Sequence, residues 1–275
     1  MKFLKWLVFA CLVLGLASCA SWLPQGGTKR VASIVDYLYP DAKEPPAMQP
    51  TVTRLRLPIR VGIAFVPGGS RSALSETEKA KLLERVKASF SNRAYIGGIE
   101  LIPTEYLRPR GGFANLEQVA RMFNVDVVTL LSYDQVQFND TNALSMLYWT
   151  IIGAYVIQGD KYDIQTMVDA SVFDVNSRKL LFRAPGTSQV RGNATMAGFS
   201  ERARVAQLDG YSQAVDQLIP RLQMELDAFR ARVKSDANFK VENKPGYSGG
   251  GSLGWWSLMM TFVLVGLAYG KRRAS

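Results

Sequence analysis

An uncharged apolar stretch sits at each end of the chain, so only the residues between them are free to build a globular domain. Lys2 and Lys5 precede residues 7–17, which carry no charge and run into Leu16-Ala17-Ser18-Cys19. A positive start, a short apolar core and small residues make a secretory signal peptide. The run falls short of the roughly 20 residues that a spanning helix requires. At the other end, Ser248-Gly249-Gly250-Gly251-Ser252 leads into the uncharged residues 253–269, and Lys271-Arg272-Arg273 follow. As a helix, residues 253–269 rise about 25 Å, just enough to cross a bilayer core. Basic residues beyond the span keep that end in the cytoplasm and place the middle of the chain on the exported side. A permanent tail anchor and a removable tail both fit this pattern. Glycines at the membrane edge favour removal, because a protease active site takes extended backbone.

The Leu-Ala-Ser-Cys run resembles the bacterial lipobox. That resemblance implies a diacylglyceryl thioether on the Cys19 sulfur, cleavage between Ser18 and Cys19, and acylation of the new amine by lipoprotein maturation enzymes. The glycine cluster, short span and basic end resemble the GlyGly-CTERM sorting signal, which is processed by rhombosortases, intramembrane serine proteases related to rhomboids. A GPI signal has similar logic, but a lipobox argues for bacteria. Both signals on one chain, together with Val35-Asp36-Tyr37-Leu38-Tyr39-Pro40 and Leu181-Phe182-Arg183-Ala184-Pro185-Gly186, resemble the rhombotarget lipoprotein family. The resemblance implies tail removal near Gly249, Gly250 and Gly251. It implies a protein held in the inner membrane before that cut and at the outer membrane or cell surface after it. The implied partners are the maturation enzymes, a rhombosortase, membrane lipid through Cys19 and an unidentified envelope protein. The family implies no activity.

Composition narrows the chemistry. Five of the 33 basic residues lie in the two ends and all 23 acidic residues lie between them, so the processed chain carries +5 rather than +10. That excess suits either a solvated mixed-charge face or an anionic lipid or peptidoglycan surface. Nucleic acid is a poor partner for an exported lipoprotein. Histidine is absent, which removes Ser-His-Asp and Cys-His catalysis and most zinc chemistry. Cys11 leaves with the signal peptide, so Cys19 has no partner for a disulfide, although export would permit one.

The middle divides by composition into a Pro-rich tether over 19–50, an α/β domain over 51–233 and a polar, glycine-rich linker over 234–252. The signal peptide covers 1–18 and the sorting tail 253–275. Residues 34–39 form a short helix or docking segment within the tether. Residues 59–66 are an apolar run before Pro67-Gly68-Gly69 and predict a buried strand. Ser75 and Glu78 form a capping-box pattern for a helix over 76–91 with a core stripe of Leu82, Leu83, Val86 and Phe90. A short strand at 99–102 follows. A second helix starts at Asn115 and Gln118, buries Leu116, Val119, Ala120 and Phe123, and closes at Asn124. Residues 125–133 predict a central strand. Residues 165–175 and 179–190 predict a hairpin around Asn176-Ser177-Arg178. A helix over 199–233 carries Tyr211, Val215, Leu218, Leu222, Leu226, Phe229 and Val233 at near-heptad spacing, which suits packing on the sheet or an intermolecular coiled coil. Pro220 should kink it or mark a boundary. This order gives a single small α/β domain with a mixed sheet. It resembles the TolB N-terminal domain or CsgG-type envelope domains.

No catalytic constellation stands out, and the reading is of a binding or interaction domain with no cofactor, no metal and no enzymatic activity. Residues 143–157 hold no charge and contain Tyr148, Trp149 and Tyr155. They form either a buried element or a surface loop that touches membrane or a partner. Pro67-Gly68-Gly69-Ser70-Arg71 sits where anions can bind backbone N–H groups, but the lysine of a phosphate loop is missing and a turn is the better reading. Asp160, Asp163, Asp169 and Asp174 cluster in sequence and are the one set from which a hydrolase acting on cell-wall or surface polymers could be built. Membership of an oligomeric envelope or secretion assembly, through 199–233, is the remaining alternative.

Overall fold

The computed structural model describes residues 27–40, 52–68, 74–141 and 158–247. Its centre is a mixed sheet of strands β1 (Thr28–Ala32), β3 (Ile59–Phe65), β4 (Ile96–Leu101), β5 (Val127–Thr141), β6 (Asp160–Asp174) and β7 (Leu180–Ala194). The order is β4-β3-β5-β6-β7, and β1 pairs with β5 beyond the end of β3. β3 runs parallel to β4 and β5, while β5, β6 and β7 form an antiparallel meander. A small parallel pair, β2 (Thr53–Leu57) with β8 (Phe239–Asn243), completes the strands.

Helices cover the sheet on both faces. On one face lie α2 (Glu76–Ala88) and α4 (Phe199–Ser235), joined by Arg85, whose guanidinium donates to Ser212 Oγ at 2.8 Å and pairs with Asp216. On the other face lie α1 (Ile34–Leu38) and α3 (Gly112–Met122), whose Phe113 meets Phe173 of β6 edge to face. The α/β order read from the sequence is the order observed. Ser75 caps α2 by accepting from Glu78 N at 3.2 Å, and Leu82, Leu83, Val86 and Phe90 are all buried. Glu78 gives its carboxylate to Lys81 instead. The hairpin turn at 175–179 closes with Arg178 at positive φ.

Three expectations change, and of the two alternatives for α4 the packing on the sheet holds. Asn115 does not start a helix: α3 begins at Gly112, and Asn115 lies buried inside it as a hub of hydrogen bonds. Pro220 marks no boundary, because α4 continues through it to Ser235. The near-heptad stripe of α4 faces its own sheet, where Tyr211, Val215 and Leu218 are fully buried, so it is not free for a coiled coil. The domain is also wider than 51–233. Thr28–Ala32, expected in the tether, is a strand of the main sheet. Tyr37 and Leu38 are buried, and Phe239–Asn243, expected in the linker, pairs with β2.

The sheet has two halves with different chemistry. Over Val127–Leu131, β5 is buried on both faces, as a central strand should be. Beyond Leu131 it alternates, with Tyr133, Gln135 and Gln137 under α4 and Phe138 about half exposed on the other side. β5, β6 and β7 therefore extend past the helical layer on one face as a three-stranded arm, joined along its flank by β1.

Candidate functional site

The residues singled out for maturation, Ser18 and Cys19 at one end and Gly249, Gly250 and Gly251 at the other, lie outside the described residues, as does the tail beyond them. Their nearest described neighbours are firmly placed. Thr28, nine residues after Cys19, opens β1 opposite Gln137 of the arm. At the other end, Lys244 N donates to Leu57 O at 2.7 Å and its ammonium reaches Asp126 Oδ2 at 2.7 Å. Tyr247, two residues before Gly249, donates its hydroxyl to Ala94 O at 3.1 Å. The chain thus enters the fold at the outer end of the arm and leaves it beside the first residues of β4 and β5.

The aspartates that cluster in sequence do not converge in space. Asp163 accepts from Gln189 Nε2 at 2.9 Å and Arg191 Nε at 2.8 Å on the neighbouring strand. Burial would raise its carboxyl, but these partners hold it below the usual range, so it stays ionised and is no general acid. Asp169 accepts from Arg183 Nη2 at 3.0 Å and from Ser171 Oγ at 3.1 Å. Asp174 closes the hairpin by accepting from Ser177 N at 2.7 Å and Ser177 Oγ at 2.6 Å, the role that Asp commonly fills in turns. Asp160 lies opposite Thr141 and Ala194 at the arm's tip. Among the described residues no three carboxylate, histidine or cysteine side chains gather as metal ligands.

Polar groups that pattern reading passed over do come together under α4. Gln135 Nε2 donates to Thr166 Oγ1 at 2.8 Å and to Gln207 O at 3.0 Å. Gln207 in turn donates to Gln137, and Gln137 to Asn139 Oδ1 at 2.6 Å. All four of Gln135, Gln137, Thr166 and Gln207 are buried. Above them Tyr211 stands edge to face with Tyr133 at 5.5 Å, and its hydroxyl is buried and unpartnered. Burial, aided by Tyr133, pushes its ionisation far above the ordinary value. This ladder ties α4 to the arm. It offers no nucleophile, because a neutral, deeply buried phenol cannot attack a substrate. The signal for it was present: Tyr133, Gln135, Gln137 and Asn139 alternate with period 2, but three of the four are polar.

A second overlooked group is Lys79, buried with its ammonium on Glu76 Oε1 at 2.7 Å and Thr104 Oγ1 at 3.3 Å. Burial would raise the Glu76 carboxyl, yet Lys79 and the Thr104 N–H keep it below the usual range. The pair fixes the start of α2 against the turn after β4. An open cleft of about 400 Å³ lies between α3 and the β6–β7 turn, lined by Glu117, Arg121, Asn176 and Arg178 among others. Arg178 Nε donates to Glu117 at 2.7 Å there and stacks over Phe113. Of the Pro-Gly-Gly segment only Pro67 and Gly68 are described, and a Cβ on Gly68 would collide with the Tyr133 hydroxyl. The apolar residues 143–157 lie outside the described residues, and the strands that flank them pair at Thr141 and Asp160.

No protein-family model matches the chain, and no curated protein matches it. Solved structures that are similar include the PelC dodecamer from Paraburkholderia phytofirmans, 14% identical with a TM-score of 0.27, over 71% of this chain and 96% of that one. The LpoB C-terminal domain from Salmonella enterica is 10% identical with a TM-score of 0.24, over 50% of this chain and 86% of that one. A lipoprotein from Neisseria meningitidis is 13% identical with a TM-score of 0.23, over 57% of this chain and 98% of that one. Likenesses this distant say nothing of what the chain binds or does.

Proposed function

We propose that this chain is a bacterial cell-envelope lipoprotein, lipidated at Cys19 and trimmed near Gly249, Gly250 and Gly251 by a rhombosortase, whose α/β domain is a non-catalytic binding module. The observation that carries this reading is the fit between the signals and the fold. The first described strand starts nine residues after Cys19, and the last described hydrogen bond, from Tyr247, comes just before the glycines. Both cuts would therefore fall in sequence that the described domain does not use. The inner-membrane precursor would become an outer-membrane or cell-surface lipoprotein whose partner is another envelope protein. The binding reading is favoured over a polymer hydrolase because Asp163, Asp169 and Asp174 are each tied to a partner of their own chain. Asp163 in particular is held in its ionised form, whereas a general acid must carry a proton near neutral pH.

Intact mass of the protein extracted from its native host's membranes tests the reading. The expected mass is that of a triacylated Cys19 with the chain ending near Gly250. Cys19→Ser should abolish lipid labelling, and bulky residues in place of the three glycines should block trimming. A mass that retains Ser275 would make the tail a permanent anchor and defeat the sorting half of the reading.

A further inference from the structure

We infer that, while both of its ends are held, the domain is tipped over so that both ends of its sheet stay near the bilayer, and that tail removal releases the end opposite the lipid. This rests on the reading above, in which Cys19 carries lipid and residues 253–269 span the membrane. The two ends leave the fold far apart. The lipid-bearing end enters at Thr28, opposite Gln137 near the arm's tip. The tail end departs from Lys244 and Tyr247, bound to Asp126 just before β5 and to Ala94 just before β4. β3, β4 and β5 run parallel, so both of those contacts lie at the same, inner end of the sheet.

Two rulers give the separation. From Asp126 to Gln137 the chain makes eleven strand steps, about 36 Å. Along α4, Phe199 meets Tyr162 at the arm end and Phe229 meets Phe239 at the inner end. The thirty helical residues between them rise about 45 Å. The leashes are shorter. Nine residues from Cys19 to Thr28 reach at most about 32 Å, and six from Tyr247 to Leu253 at most about 22 Å. If the domain stood on its arm, residue 253 could not reach the bilayer. If it stood on its inner end, Cys19 could not. Both anchors together exclude an upright domain and keep it tipped toward the bilayer. Once the tail is cut, the single restraint is at the arm end and the inner end can swing into the aqueous space.

Fluorescence transfer to a lipid-borne acceptor reads this directly, in vesicles of phosphatidylethanolamine and phosphatidylglycerol. The lipidated chain has no free thiol, so Asn92→Cys at the inner end and Asp140→Cys at the arm end each supply one dye position, and both residues are exposed. In the uncut chain both dyes should transfer. In a lipidated chain ending at Gly250, transfer should be lost at 92 and kept at 140. A chain of residues 20–275, held by the tail alone, should show the reverse. Equal transfer at 92 before and after the cut, or none at 92 in the uncut chain, would overturn the inference. If residues 20–275 wash off the vesicles, the tail is no span and the underlying reading fails instead.

Discussion

Asn115 shows how much a single side chain can bind together. Its Oδ1 accepts from the Tyr37 hydroxyl at 3.1 Å and from Arg108 N at 2.8 Å, and its Nδ2 donates to Tyr106 O at 3.3 Å. It thereby ties α1 to α3 and to the loop that precedes α3. Replacing it with alanine strands the Tyr37 hydroxyl, which is 1% exposed, and takes the acceptor from the Arg108 amide N–H. A buried polar group left without a partner costs about 1–3 kcal/mol, so Asn115→Ala should cost about 2–4 kcal/mol in denaturant unfolding. Adding Tyr37→Phe to that variant should recover about 1 kcal/mol, because the orphaned hydroxyl goes with it. No recovery would mean that Asn115 acts by helix packing alone. From sequence this residue reads as a cap, since Asn favours helix starts and Gln118 follows at the right spacing. Its true role depends on Tyr37, 78 positions away, which local pattern cannot supply.

At the scale of elements, β7 and α4 pack closely at one glycine. Gly186 faces the helix so tightly that a Cβ there would overlap Ala214 O and press on Leu218 N, both backbone atoms that cannot rotate away. Gly186→Ala should therefore cost about 3 kcal/mol or more by prising α4 from the sheet. Gly98→Ala, where nothing lies within 4 Å, should change stability by less than about 1 kcal/mol. Thermal unfolding of the two variants side by side checks this, and equal effects would refute the packing argument. The elements that sequence reading found carry an apolar signal of their own: β3, the capped α2, β4, most of α3, the inner parts of β5, β6 and β7, and the apolar stripe of α4. It stopped β5 at Tyr133 because the residues beyond are Gln135 and Gln137. These are buried against amides and hydroxyls rather than hydrocarbon, so hydropathy falls while the strand continues. β1, β2 and β8 were missed for a related reason. Each is five residues long with at most two buried positions, and each is held by a partner distant in sequence.

For the whole molecule, β1 and β8 decide where the chain can be cut without loss. β8 covers β2, and Phe239 packs edge to face on Phe229 of α4 at 5.4 Å with Lys179 over its ring. The Thr53 hydroxyl, fully buried in β2, lies 3.2 Å from that of Ser177 in the hairpin turn. A chain of residues 20–250 keeps all of this and ends beyond the Tyr247 contact. A chain of residues 20–235 strips β8 and opens β2 and Phe229 to water. Losing the partly buried Phe239 and uncovering Phe229 together cost about 2–3 kcal/mol, which in a domain of this size lowers Tm by about 5–10 °C. Calorimetry should therefore find 20–250 as stable as the domain in the uncut chain and 20–235 markedly less stable. The same reasoning places the lower limit near Thr28. A chain that begins at residue 41 loses β1, together with Tyr37 and Leu38 from the core, and should fall further than 20–235 does. If 20–250 unfolded earlier than the uncut chain, the segment beyond Gly250 would contribute to the fold, and a protease cutting there would be destabilising its product rather than releasing it.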